Sequence, residues 1–84
     1  MTHYIKINKS YADAIASGRK NFEIRYNDRG YNAGDLVHFT VIDKDGNAID
    51  THPLFHKKYL ITYVHSGLGL ENNYVVFGIK EADT

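Results

Sequence analysis

The sequence predicts an α+β, mainly β domain: a small β-barrel of five or six mostly antiparallel strands with one short N-terminal helix plugging one side. Three observations predict it. Apolar runs of strand length recur at residues 3–8, 21–27, 36–43, 59–65 and 74–79, whereas helical spacing occurs once, in residues 10–18. The eight residues between the last two runs (SGLGLENN) are too few for a crossover helix and suit a hairpin-like return. Finally, 84 residues make one domain, residues 1–84, which buries only about 60% of its unfolded surface; closing short strands on themselves removes the exposed edges of so small a sheet.

The elements follow in order. HYIKIN (residues 3–8) sets Tyr4 and Lys6 on one face and Ile5 and Ile7 on the core side of a first strand. In SYADAIASG, Ser10 caps a two-turn helix, Asp13 completes a capping-box-like pair, and Tyr11 and Ile15 repeat at i, i+4. Gly18 ends that helix, because glycine takes the left-handed conformation without a Cβ penalty. Residues 21–27 form a period-two strand with Phe22, Ile24 and Tyr26 on one face and Asn21, Glu23, Arg25 and Asn27 on the other. NDRG and NAGD are turn clusters, after which LVHFTVID (residues 36–43) is apolar at nearly every position, as the centre of a sheet covered on both faces would be. DKDGN carries an Asp-Gly turn, residues 48–57 are weakly patterned and read as a loop with a short edge strand, and YLITYVH and YVVFGI complete the sheet.

Composition excludes several classes. The chain has no cysteine, hence no disulfide or thiolate metal site, which fits a reducing compartment. Met1 is followed by polar residues without an apolar leader, and no run approaches the roughly 18 apolar residues of a membrane span, so a cytoplasmic protein without membrane contact is expected. Ten basic residues balance ten acidic ones, which leaves no general basic footprint for duplex binding. His52 and His56 stand four apart, but Pro53 between them argues against one helical face; they read as solvated loop histidines, and no metal or cofactor is expected. His38 and His65 lie in strands and read as packed or half-exposed side chains.

GRKNFEIRYNDR (residues 18–29) holds four basic and two acidic residues. Glu23 and Arg25, two apart on a strand, are same-face neighbours roughly 6.5 to 7 Å apart. Lys20 sits just upstream, at the helix-to-strand junction. Charges alternating on the solvent side of an amphipathic strand are ordinary; on a concave surface the same three make a polar pocket in which Glu23 accepts hydrogen bonds and Lys20 and Arg25 donate them.

Gly18, Lys20, Glu23 and Arg25 spell G-x-K-x-x-E-x-R, which resembles the signature of the ASCH domain, a branch of the PUA-like β-barrels. Four fixed positions recur by chance in about one chain of this length in a thousand. The flanks resemble a small uncharacterised bacterial and phage family within that superfamily, through Asn27, Asp28 and Arg29, the pair Gly34–Asp35, and TYVHSGLGLENNYVVFGI (residues 62–79). The resemblance implies a PUA-like barrel whose motif lines a cleft between helix and barrel and binds RNA, single-stranded or with a flipped base, or a nucleotide-like small molecule. Lys20, Glu23 and Arg25 would face the ligand, Gly18 would shape the turn, and Arg25 or Lys20 would meet a phosphate. Tyr26 and Tyr31 are stacking candidates, of which at least one is expected in the core. Some ASCH proteins are amidohydrolases of N4-acetylcytidine that use a lysine, a threonine and a glutamate; Lys20 matches the lysine, whereas Glu23 stands in the place of the threonine. Binding is therefore the leading expectation, with a hydrolase on modified nucleosides, a ribonuclease or a protein-interaction module as alternatives.

Overall fold

In the computed structural model, which describes residues 1–82, the alternation of the first strand becomes a two-faced ribbon. β1 (Thr2–Asn8) buries His3, Ile5 and Ile7 and leaves Tyr4 and Lys6 in solvent. α1 (Lys9–Ala16) follows without a break and turns Ala12 and Ile15 to the core. Its start departs from the expected capping box. The N-cap is Asn8 and makes no side-chain cap bond, while Asp13 is taken by Lys9 Nζ at 2.9 Å and His52 Nε2 at 2.8 Å. Gly18 then adopts φ +80, and its N–H bonds to Ile15 O at 3.0 Å, ending the helix.

The remaining strands are β2 (Phe22–Tyr26), β3 (Leu36–Ile42), β4 (Tyr59–Ser66) and β5 (Tyr74–Glu81). They form one five-stranded sheet in the order β1-β3-β4-β5-β2, curled into a half-barrel. β1 and β3 run parallel; every other pairing is antiparallel. β4, not β3, is the central strand. β3 is nevertheless covered on both sides, which explains its nearly continuous apolar sequence. Val37, Phe39 and Val41 are fully buried in the core, and the opposite face lies half-buried, with His38 Nε2–H donating to Phe55 O at 2.7 Å.

Residues 48–57 hold no strand. Ala48 makes a single bridge to Ile42, and Pro53–His56 form a 3-10 helix that inserts Leu54, wholly buried, into the core. His52 is not a solvated loop histidine. It is 7% exposed, its Nδ1 accepts from Leu54 N–H, and its Nε2–H reaches Asp13, so one imidazole joins this loop to α1. Gly78 serves a close approach: a Cβ there would stand 2.6 Å from Thr62 Oγ1, beside the bulge between Ile61 and Tyr63. Among the described residues no helix is long and apolar enough to cross a membrane.

A second histidine–carboxylate pair anchors the start of the sheet. Buried His3 donates from Nε2 to Asp35 Oδ2 at 2.8 Å, and Asn32 N–H donates to the same oxygen at 3.1 Å. The His3 hydrogen bond is the main cause that holds the Asp35 carboxyl below its ordinary value of 3.8; Lys9 and then His52 do the same for Asp13. A carboxyl lowered in the folded state stabilises the fold fully above its ordinary value, and that contribution is lost as pH falls below it. These two carboxyls are therefore expected to make thermal melts drop below about pH 4. Asp35→Asn should be less stable than the parent at pH 7 and show a smaller acid drop.

Candidate functional site

Two antiparallel strands place directly opposite residues on the same face. In the β2–β5 register Glu23 faces Phe77 and Arg25 faces Val75, whereas Phe22, Ile24 and Tyr26 face Gly78, Val76 and Tyr74. Phe77 and Val75 are core residues, so Glu23 and Arg25 are on the inner face of the sheet. The strand is thus turned over relative to the ordinary amphipathic pattern. Ile24 and Tyr26 are about half exposed, and Glu23 is 4% exposed.

A buried carboxylate is tolerated only when paired and hydrogen-bonded. Here one Glu23 oxygen accepts from Lys20 Nζ and the other from Arg25 Nε at 2.8 Å. Lys20 also donates to Phe22 O at 2.8 Å, and its ammonium stands 5.3 Å from the Tyr11 ring centre and 5.1 Å from that of Phe22. Arg25 Nη2 reaches across the open side of the half-barrel to Lys6 O on β1, at 2.7 Å. The three side chains form the floor of a cleft of about 520 Å³ between β2, β1 and the first turn of α1. That volume is in the range of small-ligand sites. The three motif side chains carry a net charge of +1, Lys6 adds a further cation to the lining, and Tyr11, Phe22, Tyr26 and Tyr74 surround the floor with aromatic surface.

The motif residues do not all meet there. Lys20, Glu23 and Arg25 converge, and Tyr26 stands at the rim, edge-on to Tyr74 with ring centres 5.6 Å apart. Gly18 lines a different groove, of about 370 Å³, which shares Lys20 with the cleft. Tyr31 is no stacking platform: it is 4% exposed, with its ring centre 4.8 Å from both His3 and Phe77, and burial pushes its hydroxyl pKa up. Asn27 also stands outside the cleft and holds the following turn, with Oδ1 accepting from Tyr31 N–H at 3.0 Å. Asp28 and Arg29 face each other at 4.0 Å on the surface, away from the cleft.

Sequence reasoning missed Tyr11, Lys6 and Tyr74. Tyr11 shares the i, i+4 spacing of Ile15, but it is 54% exposed and turned to the cleft. Lys6 enters through its backbone carbonyl, which no side-chain pattern reveals, and Tyr74 enters through its pairing with Tyr26.

Fold and site together define a small mainly-β half-barrel domain with an open, cationic, aromatic-rimmed cleft. The chain belongs to the family described as Domain of unknown function (DUF3850), whose profile matches residues 2–79. Its fold is similar to that of the crystal structure of hypothetical protein PH0355, with a TM-score of 0.64, 98% of this chain and 100% of that chain covered, and 13% sequence identity. At that identity the likeness concerns the fold alone. No curated protein matches the chain.

The geometry separates structural from cleft residues. Tyr31→Ala is expected to lower stability by about 3–5 kcal/mol, as for other large core aromatics, and Tyr31→Phe by less than about 1.5 kcal/mol. Glu23→Gln keeps the side-chain shape but leaves two cations without their counter-charge. It should cost about 1–3 kcal/mol, less than for a fully buried pair because Lys20 and Arg25 keep some solvent contact. Urea denaturation of the three variants checks both expectations.

Proposed function

We propose that the domain is an ASCH-like member of the PUA-like barrels that binds RNA, as a single-stranded or flipped-out nucleotide, or a free nucleotide, in the cleft floored by Lys20, Glu23 and Arg25. The observation that carries this reading is the convergence of the three motif charges, with net charge +1, beneath exposed aromatic rings. The excess positive charge suits a phosphate. A guanidinium has five N–H donors. Arg25 uses Nε for Glu23 and one Nη2 hydrogen for Lys6 O, so its remaining donors can serve a phosphate or a carbonyl. Glu23 has both oxygens engaged by cations, and its role in this reading is to hold Lys20 and Arg25 in place. The rings of Tyr26, Phe22 and Tyr11 supply faces against which an unstacked base can lie, a contribution of about 1–3 kcal/mol per base.

Use of Lys20 as a hydrolytic base fits less well. Its Nζ already donates to Glu23 and to Phe22 O and stands over two aromatic rings, an arrangement that uses it as a hydrogen-bond donor.

Calorimetric titration of the four nucleoside 5′-monophosphates and a short single-stranded RNA at fixed salt tests the proposal. Arg25→Ala and Lys20→Ala should weaken binding by about tenfold each, the scale of one charge-assisted hydrogen bond. The salt dependence should be shallow, with a log–log slope near −0.7 for one neutralised phosphate of a single strand. Binding unchanged in folded samples of both variants would refute the reading.

A further inference from the structure

The cleft has a wall whose chemistry is not that of the motif. Ile79 N–H donates to Asn21 O at 3.0 Å and Asn27 N–H donates to Asn73 O at 2.7 Å, on either side of the β2–β5 register. In an antiparallel pair, bonded and non-bonded residues alternate. Residues 21, 23, 25 and 27 therefore turn their backbone groups towards β5, and Phe22, Ile24 and Tyr26 turn theirs the other way. Among the described residues no strand lies there, because β2 is the last strand of the sheet. Phe22 O is taken by Lys20 Nζ and Tyr26 O by Asp28 N–H, at 2.9 Å. Ile24 alone of the three keeps both its N–H and its C=O without a hydrogen-bond partner among the described residues, and Ile24 lines the cleft beside Arg25.

Natural edge strands are commonly guarded by charged side chains or covered. β2 has two guards, its five-residue length and its inward-turned Glu23 and Arg25, and it carries Phe22, Ile24 and Tyr26 outward. What the guards leave open is the Ile24 backbone, which faces the cleft.

Resting on the nucleotide-binding reading above, we infer that the Ile24 backbone is the base-reading element of the cleft, its N–H and C=O pairing with the adjacent acceptor and donor on the edge of a planar nucleobase. An extended residue presents the two groups side by side and coplanar, as it would to a partner strand, and every nucleobase has an edge on which a donor and an acceptor are neighbours. Arg25 is the next residue, so a base held at Ile24 would leave its sugar or phosphate within reach of the guanidinium. This assigns the ligand class as nucleotides with an unsubstituted donor–acceptor edge, selected by that edge and not by charge alone.

The test uses the full chain and the four nucleoside 5′-monophosphates. Each one that binds is compared with the analogue methylated on that edge: N6,N6-dimethyladenine, N4,N4-dimethylcytosine, N3-methyluracil or N1-methylguanine. The analogue should bind at least tenfold more weakly. Ile24→Pro removes the cleft-facing N–H without touching the β5 ladder, a place where edge strands accept proline, and should weaken binding by a similar factor, while Ile24→Ala stays within about threefold of the parent. Should the proline variant fail to fold, the Ile24 amide resonance of the parent provides the second reading and should move on nucleotide addition. Methylated analogues that bind as tightly as their parents, or an unmoved Ile24 resonance, would overturn the inference. If nucleotides bind in an Arg25-dependent way but ignore edge methylation, this inference alone falls; if none binds, the functional reading falls and takes the inference with it.

Discussion

The seam of the half-barrel depends on one buried carboxylate. β1 and β2 are the two ends of the sheet, and they share no backbone ladder. Glu23, placed on the inner face by its pairing with Phe77, draws Lys20 from the helix exit and Arg25 from its own strand, and Arg25 in turn grips the Lys6 carbonyl of β1. One side-chain bond, from Arg25 to Lys6 O, thereby spans the seam where no backbone ladder runs, with Glu23 and Lys20 behind it. A hydrophobic plug of equal volume would hold the seam at lower desolvation cost, since buried ion pairs seldom add stability over apolar packing.

Much of the fold was legible in the sequence because its periodicities are unambiguous. β1, β4 and β5 alternate or run apolar over strand length, and α1 stops at a glycine that has to adopt positive φ. Pairing was less legible, because side-chain pattern does not encode which strand lies beside which. β3 reads as central owing to its apolar sequence, yet the loop carrying Leu54 and Phe55 covers it, and β4 takes the middle.

The site shows the same limit more sharply. The spacing of Glu23 and Arg25 groups those two, because residues two apart on a strand share a face whichever way it points, whereas Lys20 joins them from outside β2 through its reach. The direction of that face is set by β5: a one-residue shift against it would turn Glu23 outward and Ile24 inward. His52 was misread, and Tyr31 was left between stacking and core, for a related reason. Both lie in turn-rich segments where no periodicity marks the core, and each is buried through a long-range partner, Phe77 for one and Asp13 for the other. Asn27, Asp28 and Arg29 continue the motif in sequence but leave the strand, so the chain turns away before they can reach the cleft.

The strand order also sets when the cleft can come into being as the chain is made. β2 has a single strand neighbour, β5, and the two are joined only after residues 74–81 exist. Until then Lys20, Glu23 and Arg25 have no wall against which to assemble. On a ribosome, β1, α1 and β3 can begin to associate early, whereas the seam waits for the end of the described chain. Local contacts between β4 and β5 form the last hairpin, and β2 must then close over about 50 residues of sequence separation, the slow kind of contact in small β proteins. The first third of the sequence carries the charges, and its final strand decides which way they face.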